Sequence, residues 1–464
     1  MKFLVFFLLL SFSHLSFAAD PEKGYDYLVN GGYIGCGIPI DVLKRVEPFL
    51  NAVPQSLSGW FNPLFQAPLF KKSEIPGRTG TNANLSHEFN AFVTRRGNEV
   101  ANFNCLSCHS QRIGNQVIVG LGNSLRDFTY DIRFLLAEIR PFYRTSKERE
   151  EGAFFERSLS AISPYIQMHT VGVNPAINLT FALMAHRVPE TLAWSDSFLM
   201  DPPSKEVPPV HVPPWWRMRK RKTMFYSGEI AGEHRRIMML ASSLCADSVD
   251  QVEEMDEAFK DVESYIHSLP PPPYPHSVDS ALASRGKGLF LKNCASCHGT
   301  YGPNGVYSEK LIPIEIVKTD PALMIQETSK DHDRFIDWGR RSIYYTQETT
   351  FHPNQGYIAP ALDGIWATAP YLHNGSVPNL EGVLNSSVRP KYWKRSFDSQ
   401  DYDTIQLGWK YQSVSLWDVF DFLPFEKRFV YDTTLAGYSN QGHDFGDTLS
   451  QDERLSVIEY LKLL

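Results

Sequence analysis

Cys105-Leu106-Ser107-Cys108-His109 and Cys294-Ala295-Ser296-Cys297-His298 carry the most information in this chain. Each places two thiols three positions apart, with an imidazole directly after the second. That spacing lets both sulfurs add to the two vinyl groups of one haem and holds the histidine under the iron as an axial ligand. Zinc modules also use Cys-x-x-Cys, but their second pair usually follows within about twenty residues. Here the pairs are far apart. A thioredoxin-like dithiol would sit in a βαβ pattern, which neither site shows. Two such pentapeptides in a chain with six cysteines predict two covalently bound haem c groups, attached through Cys105 and Cys108, and through Cys294 and Cys297. His109 and His298 are the expected proximal iron ligands.

The N-terminus agrees with this. The chain opens on Met1-Lys2-Phe3, stays apolar to about Phe17 and reaches Ser16-Phe17-Ala18 ahead of Ala19-Asp20. One lysine, a short apolar core and a small-residue exit predict a signal peptide over residues 1–18. Ser11, Ser13 and His14 interrupt the run before the roughly 20 apolar residues that a membrane anchor needs. The expectation is a periplasmic or secreted protein with no membrane anchor. A formal net charge of −7 gives no reason to expect nucleic acid as a partner. Cys36 lies in a glycine-rich turn, Gly31 to Gly37, and Cys245 is distant in sequence. The spacing leaves open whether they pair in an oxidising compartment.

The proline run Pro270-Pro271-Pro272-Pro273-Tyr274-Pro275 predicts a stiff extended linker. It divides a haem c domain over 19–269 from a cytochrome c domain over 277–464, the linker itself spanning 270–276. Before it, Val252, Met255, Phe259, Val262 and Ile266 recur at helical spacing behind a capping-box pair, Ser248 and Gln251. After it, a helix from about Asp279 to Asn293 runs into Cys294. At the C-terminus Ser450 and Glu453 make a second capping box, ahead of an apolar face of Leu455, Val457, Ile458, Leu461 and Leu464. No strong two-residue alternation marks strands. The expected fold is mainly α: two cytochrome c-like haem domains with long loop insertions.

The stretch Ala369-Pro370-Tyr371-Leu372-His373-Asn374-Gly375-Ser376-Val377-Pro378-Asn379-Leu380 resembles the bacterial di-haem cytochrome c peroxidase superfamily. Three further stretches resemble its rubber-oxygenase branch: Pro214-Trp215-Trp216 with Met224-Phe225-Tyr226, Arg389-Pro390-Lys391, and Ser439 to Gly446 around His443. The resemblance implies unequal haems, one six-coordinate and passing electrons, the other open to oxygen or peroxide. It implies that the His109 haem is the reactive one. It also favours His443, in a glycine-flanked loop, as distal ligand to the second haem. His373 is the second choice, and His332 and His352 are also available. Any one of these could instead be an ordinary hydrogen-bonded histidine.

Trp216 and Phe225 are expected to wall the distal side of the first haem, although a core tryptophan pair beside a solvated basic face reads equally from composition. The cations from Arg217 to Lys222 suit haem propionates or an acidic redox protein partner. Of the histidines between the pentapeptides, His211 lies on a proline-stiffened loop and could be a sixth ligand to the first haem. Two functions follow. One is an oxidoreductase that activates a small-molecule oxidant, peroxide or dioxygen, at one haem, with an organic substrate a further partner to consider. The other is an electron-transfer cytochrome c with both irons six-coordinate. A strong ligand on the distal face of the first haem separates them.

Overall fold

Six small antiparallel sheets, each of two or three strands, stand between the helices of the described residues. The computed structural model describes residues 19–52 and 68–464, so the expected signal peptide lies outside them. Helix makes up 41% and strand 12%. This corrects the expected fold. The chain is not mainly α with two cytochrome c-like haem domains; its helices are interleaved with small sheets in a mixed α and β architecture. The strands went unseen for a physical reason. The longest, Phe89–Val93 and Glu99–Phe103, have five residues each. Gly356–Ile358 is buried throughout. Strands so short, or buried on both faces, show no polar alternation to read.

In the first half the helix Pro21–Asn30 is capped by the Asp20 carboxylate, which accepts the Glu22 and Lys23 amides. It packs along the helix Val249–Ser268. That longer helix buries Val252, Met255, Phe259, Val262 and Ile266, as its periodicity predicts. Its expected capping box does not form. Ser248 makes no side-chain cap, and Gln251 Oε1 instead accepts the Asp247 amide at 2.7 Å. Cys36 and Cys245 form a disulfide across 209 residues, with Cα atoms 5.8 Å apart, inside a core that includes Leu43, Leu85 and Phe155.

In the second half, Ser280–Asn293 crosses the C-terminal helix Gln451–Leu461. Asp279 caps the first. The predicted Ser450–Glu453 capping box opens the second. The crossing is so close that a Cβ on Gly286 would lie 1.8 Å from the Ser456 carbonyl oxygen. Glycine there lets two backbones touch. The proline run continues from Leu269 outside helix or strand, and Trp366 Nε1 donates to the Pro272 carbonyl at 2.8 Å. No helix of the described residues is long and apolar enough to cross a membrane.

Candidate functional site

Strands, not a helix, deliver the first pentapeptide. The hairpin of Phe89–Val93 and Glu99–Phe103 leads into a single helical turn, Leu106–His109. A second hairpin, Ser110–Ile113 with Gln116–Val119, follows directly. Tyr33 accepts the Cys105 amide at 3.0 Å and donates to the Leu28 carbonyl at 3.1 Å, tying the turn to the N-terminal helix. Asn174 Nδ2 lies 3.3 Å from Cys108 Sγ. The Gly120 amide donates to the His109 carbonyl, and the Trp215 amide donates to the Gly120 carbonyl, both at 2.8 Å. This short relay lays the Trp215 indole on the His109 imidazole, centroids 4.7 Å apart and planes at 22°. Burial pushes the His109 pKa down to about 4, with the Pro213 carbonyl opposing. The ring is thus held neutral, the form that binds a metal.

The second pentapeptide follows the helix Ser280–Asn293 into the turn Ala295–His298. His298 Nδ1 is 2.8 Å from the Pro360 carbonyl. That bond fixes the tautomer and leaves Nε2 for a metal. Tyr301 holds the loop in place: its hydroxyl donates to the His298 carbonyl at 2.9 Å and accepts the Leu362 amide at 2.6 Å.

His443 faces His298 with ring centroids 6.1 Å apart. Metal–imidazole bonds of about 2.0–2.1 Å, with each ring centre roughly 1.1 Å behind its nitrogen, put two ligating imidazoles about 6.3 Å apart. The observed separation is close to that value. Gly442 and His443 both have positive φ, 74° and 54°, a backbone turn that a glycine eases. Arg389 clamps the loop: Nη1 donates to the carbonyls of Asn440 at 2.7 Å and Gly442 at 2.6 Å, and Nη2 to that of His443 at 3.2 Å. Burial pushes the His443 pKa down to about 4, the neighbouring His298 and Arg389 adding to the effect.

Both pentapeptides open on one continuous, largely apolar cavity of about 760 Å³. Cys105, Cys108, His109, Cys294, Cys297, His298, His443 and Phe225 all line it. Trp216 does not. It is buried among Leu362, Ile365 and Trp366, and its indole donates to the Asp363 carbonyl at 2.8 Å. Arg217 and Arg221 reach the cavity wall. Arg221 pairs with Glu309 at 2.5 Å. Arg217 Nε donates to the Asp363 carbonyl at 2.9 Å, but its Nη2 is buried with no partner. A haem propionate reaching it from the cavity would supply what it lacks.

The other histidines lie as follows. His373 lines the cavity and stacks on Tyr357 at 4.3 Å. His211 also lines it. His332 is buried against Glu229, and His352 is exposed, 3.0 Å from the Thr350 hydroxyl. Sequence reasoning missed Trp215 as the stacking partner of His109, the Pro360 carbonyl and the Arg389 clamp. Trp215 carried a signal in its place behind Pro213 and Pro214, and Arg389 in the Arg389-Pro390-Lys391 resemblance, but neither told what the side chain would touch.

Residues 356–394 match the family model described as RoxA-like, cytochrome c-like. This RoxA-like segment supports kinship with the rubber-oxygenase-like cytochromes, and a cytochrome c-like domain implies covalently bound haem c. It contains the Pro360 carbonyl that orients His298 and the Arg389 clamp over His443. Two uncharacterized proteins of Sinorhizobium fredii are similar over parts of their length. One, y4iM, is 28% identical over 263 residues, covering 52% of this chain and 59% of its own. The other, y4iJ, is 27% identical over 292 residues, covering 49% and 47%. The chain thus spans about half the length of the curated relatives it matches.

Proposed function

We propose that this protein is an exported di-haem c-type cytochrome, an oxidoreductase that activates peroxide or dioxygen at the haem of Cys105, Cys108 and His109. The haem of Cys294, Cys297 and His298 serves electron transfer, with His443 as its second axial ligand. The observation that carries this is an asymmetry. His298 has His443 opposite it at 6.1 Å, while the ring neighbour of His109 is Trp215, and among the described residues no second imidazole stands opposite His109 at such a separation.

Haem, when bound, supplies the redox change and a coordination position for a small oxidant; the protein sets its ligation and surroundings. His109 would hold the haem iron through its neutral imidazole, and Trp215, stacked on it, restricts the rotation of that ring. Arg217 offers a buried cation to a propionate. Apolar walls that include Phe225 exclude water from the reacting face.

Mass spectrometry of protein purified from an exporting host tests the attachment. The expected mass is the chain from about Ala19 plus two haems. A mass without haem, or zinc at either pentapeptide, defeats the reading. Electron paramagnetic resonance should then show one low-spin and one high-spin iron, with cyanide or carbon monoxide taken up at the His109 haem. Two low-spin irons that ignore small ligands would leave a plain electron carrier.

A further inference from the structure

Away from both pentapeptides, three side chains of a metal-ligating kind converge. His234 opens the short helix His234–Met238, and Glu263 and His267 lie four residues apart on Val249–Ser268. Residues at that spacing share one helical face. One ligand atom from each of the three lies within 4.8 Å of the others. We propose that His234, Glu263 and His267 bind one borderline divalent transition-metal ion, zinc in the simplest case, through two imidazole nitrogens and one carboxylate oxygen.

The hydrogen-bond accounting points to a missing ligand. His234 Nε2 and His267 Nε2 are both buried, and neither has a hydrogen-bond partner. His234 is 8% exposed. The Glu263 carboxylate forms no ion pair or hydrogen bond among the described residues, even with the two histidines beside it. Buried polar atoms are normally paired, and one cation would satisfy all three groups.

The frame is rigid. Arg235 and Arg236, next to His234, both pair with Asp256 on the longer helix, at 2.7 and 2.8 Å. Zinc–ligand bonds of about 2.0–2.1 Å would bring the three atoms roughly 3.3 Å apart, a closure that side-chain rotation supplies. Two imidazoles and a carboxylate suit zinc and its d-block neighbours; calcium and magnesium prefer all-oxygen sites. Three protein ligands leave a fourth position open. Glu263 and His267 are half-buried, so an ion can reach the site, and His234 also lines the haem cavity.

Chelator-treated, haem-loaded full-length protein should be titrated with zinc by calorimetry, with zinc and iron then counted by elemental analysis. One tight zinc per chain is expected beyond the haem irons, and its X-ray absorption edge should report two imidazoles and an oxygen. His267→Ala and Glu263→Gln, at half-buried positions, should each weaken zinc by about 100-fold or more, exceeding the 10–100-fold typical of groups that only orient a ligand. Intact haem spectra would show that these variants fold. His234→Ala should act alike where it folds; where it does not, the other two decide. Three results overturn the proposal: no uptake at micromolar zinc, unchanged affinity in both half-buried variants, or an absorption edge with fewer than two imidazoles.

Discussion

Arg389→Ala should free the loop that presents His443. In the intact protein the guanidinium holds the carbonyls of Asn440, Gly442 and His443, and its Nε also holds that of Gly382 at 2.7 Å. Hydrogen bonds to a charged group contribute about 1.5–3 kcal/mol each. The three to the loop are neither independent nor fully shielded, because Arg389 is only half-buried and water would replace part of what is lost. A net loss of about 2–4 kcal/mol is expected, which raises the population of open loop by about 30- to 700-fold. The assay is stopped-flow binding of cyanide or added imidazole to the His298 haem, limited by how often His443 leaves. The rate should rise by a factor of that order. Arg389→Lys, which keeps the charge and loses the fork, should fall between. Wild-type ligand-exchange rates and wild-type melting in Arg389→Ala would refute the reasoning, since the clamp would then not hold the loop.

Three further outcomes are expected. His443→Ala should convert one haem from low to high spin in the paramagnetic resonance spectrum, while His373→Ala leaves that ligation in place; the reverse would make His373 the ligand. Gly286→Ala should lower the free energy of unfolding, measured by denaturant titration, by about 1–3 kcal/mol, because the added methyl meets the Ser456 carbonyl oxygen at 1.8 Å, and unchanged stability would show that the crossing can open. His211 is held neutral by burial and by Arg395 and Arg217, its pKa pushed down to about 3. The unfolded chain takes up that proton below about 6.5 and the folded one does not, so stability is full above about 6.5 and falls towards pH 3. His211→Gln should flatten that slope in urea titrations across the window by about a few kcal/mol.

Local spacing is what the sequence made legible. Each pentapeptide carries its own geometry in five residues, so its two cysteines and its histidine, His109 or His298, could be put forward as a haem-attachment set without a fold. The helices Val249–Ser268 and Gln451–Leu461 announced themselves by periodicity, and the second also by its Ser450–Glu453 cap. His443 was singled out by its glycine-flanked loop and by resemblance, and the fold brings it opposite His298. What periodicity could not carry was the set of short strands. Phe89–Val93 and its partners are too brief, and too buried, to alternate. Ser248–Gln251 had the right letters for a cap, but Gln251 found the Asp247 amide first.

The rest belongs to tertiary structure. Trp215 and Trp216 are neighbours with the same side chain, and composition cannot tell them apart. The Gly120 hydrogen bond turns Trp215 onto His109, and the Asp363 carbonyl draws Trp216 into the core of the other half. The same holds for Cys36 with Cys245, for Arg389 with His443 and for His234 with Glu263 and His267. Each partnership joins segments distant in sequence, and it exists only because packing brings their backbones together. A motif contained in one turn is written in the sequence; a contact between turns is written only in the fold.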